Sequence, residues 1–315
     1  MTTRHLVDLE VLPLIDMMPL SGFTREGLPA ARIASAERFA FLGDPPLAPD
    51  VRTIPGPGGT LEIYWYDPAP GAQGRPALLH VHGGGMIIGS AKSMQHGPSG
   101  TAAALGIPVA SVEYRLAPEH PFPAPQEDCL AALKWLAANA TQLGVDPARI
   151  GIIGESAGGG LAAATALMAR DTGGPALAAQ FLTYPMLDHR TGGANCPWRN
   201  PTTGEFIWTR ESNVFGWEAL RGDYGVNDER MGWFSPTLAE DLSGLPPTWI
   251  GTGALDLFLD EDLDYARRLI AAGVEVELHC YPGAIHAFNA VAESRIAKAF
   301  ARDQLSAISR MLRIG

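Results

Sequence analysis

The 315-residue sequence predicts an α/β fold, with a mostly parallel eight-stranded central sheet flanked by helices. Two observations carry this. From about residue 50 onward, short apolar runs alternate with stretches of helical periodicity, the pattern of successive βα units. Hydrophobic residues make up 46% of the chain and charged residues 18%, which is enough apolar material for a large buried core. The length would permit two domains, but α/β architectures of this size often form one.

The elements follow in order. Residues 1–45 precede the first strand and look helical and amphipathic. A weak strand candidate near 50–55 is followed by stronger ones at 60–66, 76–82 and 108–114, with a helical pattern at 96–106. The helix at 126–140 is amphipathic and covers one face of the sheet. Strand 149–154 leads into an Ala-rich helix at 157–170. Strands at 178–184, 247–252 and 275–281 complete the sheet, with helices at 260–272 and 290–313. In the 260–272 helix, Glu261, Asp262 and Asp264 precede Arg267 and Arg268, an order that suits the helix dipole and reads as solvated helix chemistry.

Residues 186–236 break the alternation. They contain no convincing strand, but hold Trp198, Trp208, Trp217 and Trp233 with Phe206, Phe215 and Phe234. An insertion after a central strand lands above the C-terminal edge of the sheet, where α/β folds place their ligands. The expectation is a helical cap made of 1–45 and 186–236, over a catalytic domain made of 46–185 and 237–315. Most of the aromatics should form the core of the cap, and two or three should line a pocket.

The net charge of -11 argues against nucleic acid or an anionic membrane as a main partner. Cys129, Cys196 and Cys280 are too few and too widely spaced for a disulfide framework, and read as buried packing thiols. Asp8, Glu10 and Asp16 interrupt the apolar pattern of residues 1–20, which does not suit a signal peptide. No apolar run approaches the ~18 residues of a membrane span. A cytoplasmic enzyme is expected.

The chemistry starts at Gly154-Glu155-Ser156-Ala157-Gly158, which joins an apolar strand to a helix. G-x-S-x-G at such a junction lifts the serine onto a sharp turn beside a helix N-terminus. A plain capping loop is the competing reading. A serine hydroxyl attacks only when a base takes its proton, and the base needs a third group to hold it. Asp256 follows the strand at 247–252, and His286 follows the strand at 275–281. Serine, acid and histidine thus each follow a strand at one end of the sheet, which chance would rarely arrange. Asp260 and Glu261 are weaker acids for the role because they fall inside the helix pattern rather than at a strand exit, and Asp188 is weaker because it lies before the insertion. Among other histidines, His279 lies inside a strand, and His96, His120 and His189 lack the right placement.

Acyl transfer also needs donors for a tetrahedral oxyanion. His82-Gly83-Gly84-Gly85 follows the strand at 76–82 and matches the H-G-G-G oxyanion loop. The Ala157 N–H, next to the nucleophile, is the further donor. The run 83–89 lacks the spacing of a dinucleotide or phosphate loop, and nothing resembles a metal-ligand cluster, so no cofactor and no metal are expected.

With these motifs the chain resembles the bacterial hormone-sensitive-lipase-like carboxylesterases, the H-G-G-G branch of the α/β-hydrolase fold. The resemblance runs through His82–Gly89, Glu113–Glu119, Gly154–Gly160, Asp256–Glu261 and Gly283–Phe288, and covers roughly 75–315. It implies Ser156 as nucleophile, His286 as base and then acid, and Asp256 as the group that orients it. It further implies Gly84, Gly85 and Ala157 as oxyanion donors, and a helical cap. Met86, Trp208, Phe215 and Phe288 are the candidate pocket residues. Three positions depart from the family pattern. Glu155 stands where Asp is common, Leu257 where Pro is common, and Met86 where an aromatic is common. Arg115 and Glu119 are expected to fix loops beneath the site.

The expected activity is hydrolysis of short- to medium-chain acyl esters, small molecules, through an acyl-enzyme. It should fall in acid, because free imidazole takes up a proton near ~6.5. Two other readings stay open: an amidase or peptidase with the same triad, and a ligand-binding member of the fold without catalysis. The resemblance also suggests a homodimer through 275–315.

Overall fold

The computed structural model describes residues 2–17, 22–40 and 43–315. Helices α1 (Leu12–Met17) and α2 (Leu28–Ala40) come first, followed by the hairpin of β1 (Asp50–Gly56) and β2 (Gly59–Tyr66). Then come β3 (Arg75–Val81), α3 (His96–Leu105), β4 (Val109–Val112), α4 (Ala124–Ala138), β5 (Val145–Glu155), α5 (Ala157–Asp171) and β6 (Ala179–Thr183). An insertion carrying α6 (Arg210–Arg221) and α7 (Met231–Phe234) precedes β7 (Thr248–Gly253), α8 (Leu259–Ala271), β8 (Val276–Tyr281) and α9 (Arg295–Met311).

All eight expected strands join one sheet, in the spatial order β1-β2-β4-β3-β5-β6-β7-β8. The pairs β1/β2 and β2/β4 are antiparallel, and every other pair is parallel. Parallel central strands are apolar on both faces, and each face is covered. On one face Leu79, Ile152, Leu182 and Ile250 pack with Leu133 of α4, Leu161 of α5 and Leu269 of α8. On the other, Leu78, Ile153, Phe181 and Trp249 pack with Ala102 of α3 and with Phe300 and Ile308 of α9. Helix α9 shows how sequence sets an element. Ser294 caps it by accepting from the Ala297 N–H at 3.2 Å, and Phe300, Ala307 and Ile308 form its buried stripe.

The chain leaves β3 for β4 on one side, then returns to β5 on the other. Such a reversal opens a crevice at the strands' C-terminal ends. Both glycine-bearing motifs lie there.

Several sequence expectations need correction. The insertion is less helical than expected: residues 186–209 hold no helix, and α7 packs on α5 and the main core. Of the N-terminal part of the expected cap, residues 1, 18–21 and 41–42 lie outside the described residues. Only Cys129 is a buried thiol, whereas Cys196 is half-buried and Cys280 is exposed on β8. Two of the acids that begin α8 are not solvated: Glu261 and Asp262 are both fully buried. Glu261 accepts the N–H of Leu187 at 2.6 Å and of Asp188 at 3.2 Å, and so pins the start of the insertion. Burial and the nearby Asp188 hold its carboxyl well above the usual range.

Candidate active site

Gly154 and Gly158 are glycines for steric reasons. A Cβ on Gly154 would lie 2.2 Å from the Gly158 carbonyl oxygen, and one on Gly158 would lie 2.0 Å from that of Val81 on β3. The turn holds Ser156 at φ 56° and ψ -121°, a region that costs a non-glycine residue about 1–3 kcal/mol. Ser156 occupies the N-cap position of α5, yet its hydroxyl makes no capping bond. Its Oγ lies 3.0 Å from His286 Nε2 instead, which removes the capping-loop reading.

His286 Nδ1 lies 2.8 Å from Asp256 Oδ2. Asp256 is fully buried, and its other oxygen accepts the Phe258 N–H at 3.0 Å. The partners fix the tautomer: Nδ1–H donates to the carboxylate, and Nε2 is left to accept from Ser156. The backbone joins the two loops, because the Leu255 N–H donates to the Ala284 carbonyl at 2.9 Å. The imidazole is enclosed by aromatic rings, with Tyr184 at 4.7 Å, Phe258 edge-on at 5.3 Å and Trp208 at 6.5 Å between centroids. The Tyr184 hydroxyl donates to Asn289 Oδ1 at 2.7 Å and ties the end of β6 to the segment after His286.

Beside Ser156 lies the glycine loop. Gly84 and Gly85 have φ of 117° and 60°, values open to glycine but strained for other residues. Among the described residues, no protein acceptor takes the N–H of Gly84, Gly85 or Ala157. A Cβ on Gly85 would lie 2.1 Å from the Trp208 ring, so the glycine there admits the tryptophan. His82 supports the loop from below: it stacks on Tyr114 at 4.1 Å, and the Tyr114 hydroxyl donates to the His82 carbonyl at 2.8 Å. Burial pushes His82 down to about 3, which favours its neutral form. Arg115 forms a two-pronged ion pair with Asp128, and Glu119 pairs with Arg32 of α2. Arg32 also donates to the carbonyls of Ile87 and Ala117, which joins α2 to the end of the glycine loop.

The four candidate pocket residues are not equivalent. Trp208 lies over Gly85, and Phe215 joins it through Phe23, whose centroid is 5.7 Å from Trp208 and 6.1 Å from Phe215. Met86 and Phe288 are fully buried in apolar clusters on opposite faces of the sheet. Phe288 packs on Tyr281 and Phe300 and so supports the His286 loop rather than forming an open wall. Sequence reasoning missed Phe23, Tyr184 and Asn289. Tyr184 stands at a strand exit, like the motif residues, and that position was the available signal. The competing acids and His279 lie elsewhere: Asp188 pairs with Arg190 and Thr237, and His279 lies between Glu277 and Asp303.

The chain is similar to known proteins along most of its length. A model of the α/β hydrolase fold family matches residues 78–290. "Carboxylesterase NlhH" of Mycobacterium tuberculosis is 36% identical, over 90% of this chain and 88% of its own. "Ethyl acetate hydrolase" of Pseudomonas putida is 34% identical, over 78% of this chain and 76% of its own. The solved structure "Bacterial Heroin Esterase" superposes with a TM-score of 0.89 at 38% identity, over 99% of both chains. The sheet order, the loops at its crevice and these likenesses converge: the chain belongs to the hormone-sensitive-lipase-like branch of the α/β-hydrolase fold family.

Proposed function

We propose that this chain is a serine carboxylesterase that cleaves short- to medium-chain acyl esters through an acyl-enzyme. The unbroken hydrogen-bond chain from Ser156 through His286 to Asp256 carries the reading. Ser156 Oγ attacks the ester carbonyl as its proton passes to His286 Nε2. The carbonyl oxygen becomes an oxyanion that accepts from the N–H groups of Gly84, Gly85 and Ala157. As the intermediate collapses, His286 returns the proton to the departing alcohol. Water then gives a proton to His286 as it attacks the acyl carbonyl, and His286 returns that proton to Ser156 Oγ as the acid departs. Asp256 stabilises the imidazolium at each stage.

The names of the relatives support a small-molecule ester as substrate, and the bulky Trp208 near the nucleophile supports a modest acyl group. Residues 1–45 and 186–236 are proposed to cap the crevice, supported by Phe23 and Trp208 meeting there. A homodimer through 275–315 is supported by the open edge of β8, where Leu278 is 37% exposed. The primary test is turnover of p-nitrophenyl butyrate. Ser156→Ala should lose at least about 1,000-fold in kcat, the scale on which triad members act. Normal turnover by that variant would overturn the assignment, and matched ester and anilide substrates separate an esterase from an amidase.

A further inference from the structure

Beneath the nucleophile lies a second hydrogen-bonded chain that the reaction steps above do not use. Ser111 Oγ lies 2.8 Å from His80 Nδ1, and His80 Nε2 lies 3.0 Å from Glu155 Oε2. The three residues come from adjacent strands β4, β3 and β5. Ser111 and His80 are buried, and the Glu155 side chain is 30% exposed. One tautomer satisfies the chain: Ser111 donates to Nδ1, and the Nε2–H donates to Glu155.

Both His80 and Glu155 adjoin a motif of the active site. Glu155 is the residue before Ser156, and His80 lies two residues before His82, where β3 gives way to the glycine loop. The two motifs are already in contact. A Cβ on Gly83 would lie 3.0 Å from the Glu155 carbonyl oxygen and 3.5 Å from Ser156 Cβ. The Glu155–His80 bond is a side-chain tie, at the active-site end, between the strand that presents the nucleophile and the strand that presents the oxyanion donors.

We propose that His80 and Glu155 are positioning residues that set the spacing between Ser156 and the glycine-loop N–H groups, with Ser111 fixing the His80 ring. This rests on the esterase reading. What counts is reach and hydrogen bonding, not charge. Glutamate spans to His80, glutamine keeps both the length and an acceptor oxygen, and aspartate is one methylene too short.

The test compares Glu155→Gln, Glu155→Asp, Glu155→Ala, His80→Ala and the double alanine variant. Active sites are titrated with a fluorophosphonate, so that turnover is counted per functional nucleophile. Because a misplacement of ~1 Å can cost on the order of 100-fold, Glu155→Asp, Glu155→Ala and His80→Ala should each lose about tenfold or more in kcat. KM should stay within about twofold, because the oxyanion forms only after binding. Affinity for a trifluoromethyl ketone should fall in parallel. Glu155→Gln should stay near wild type, and the double alanine variant should be no worse than the worse single one. The proposal is overturned if aspartate substitutes better than glutamine, if kcat per titrated site is unchanged, or if the single losses multiply. Ser156→Ala reports separately on the esterase reading, so failure of one is distinguishable from failure of the other.

Discussion

Trp208 is held in place against the glycine loop. Its Nε1–H donates to Asn213 Oδ1 at 3.0 Å, and Asn213 Nδ2 donates to the Thr191 carbonyl at 2.8 Å. The ring is therefore clamped against Gly85 rather than free to swing away. Each methylene accommodated or refused in an apolar site is worth ~1–3 kcal/mol, so Trp208→Ala should raise the octanoate-to-butyrate ratio of kcat/KM at least about tenfold. An acyl-chain series on p-nitrophenyl esters measures this, and an unchanged profile would show that the ring does not bound the acyl group. At this scale the sequence was legible wherever chemistry dictates position. Ser156, Asp256 and His286 each follow a strand, and strands leave a clear apolar signature. Glu261 was not legible. An acid in the first turn of a helix reads the same whether it faces water or takes the N–H groups of Leu187 and Asp188, more than 70 residues away.

The elements show the same division. Strand positions were readable from apolar runs, but their ends were not. β5 starts at Val145, four residues before its apolar core, because Val145 pairs with Arg75 ahead of an irregularity in the ladder. The insertion misled because the lack of strands did not mean helix: much of its backbone is held by side chains such as Arg210, which donates to the carbonyls of Asn200 and Thr203. Glycines test the packing directly. Gly158→Ala pushes a Cβ into the Val81 carbonyl and should destabilise the fold by about 1–3 kcal/mol or more. Gly100→Ala in α3 meets nothing within 4 Å and should stabilise by about 0.5–1 kcal/mol. Urea unfolding of the two variants measures both; equal shifts would mean that the elbow has room to relax.

For the molecule as a whole, the two sheet edges differ. β1 carries Asp50, Arg52 and Pro55, residues that discourage strand addition. β8 exposes Leu278, and the neighbouring α8 exposes Leu263 and Ile270. If two copies meet along β8, Leu278→Lys should convert a dimer to a monomer in sedimentation equilibrium without loss of secondary structure. A wild-type monomer at micromolar concentration would rule the interface out. No helix among the described residues is long and apolar enough to cross a membrane.

The bond between Ser156 and His286 joins residues 130 positions apart. During synthesis at roughly 5–20 residues per second, the nucleophile waits about 7–26 s for its base to be made. Throughout that interval the hydroxyl is an ordinary alcohol, unable to attack esters it meets. On the proposed mechanism, hydrolysis should therefore begin only once the loop after β8 has brought His286 beside Ser156, so the onset of activity would mark the end of folding rather than its beginning.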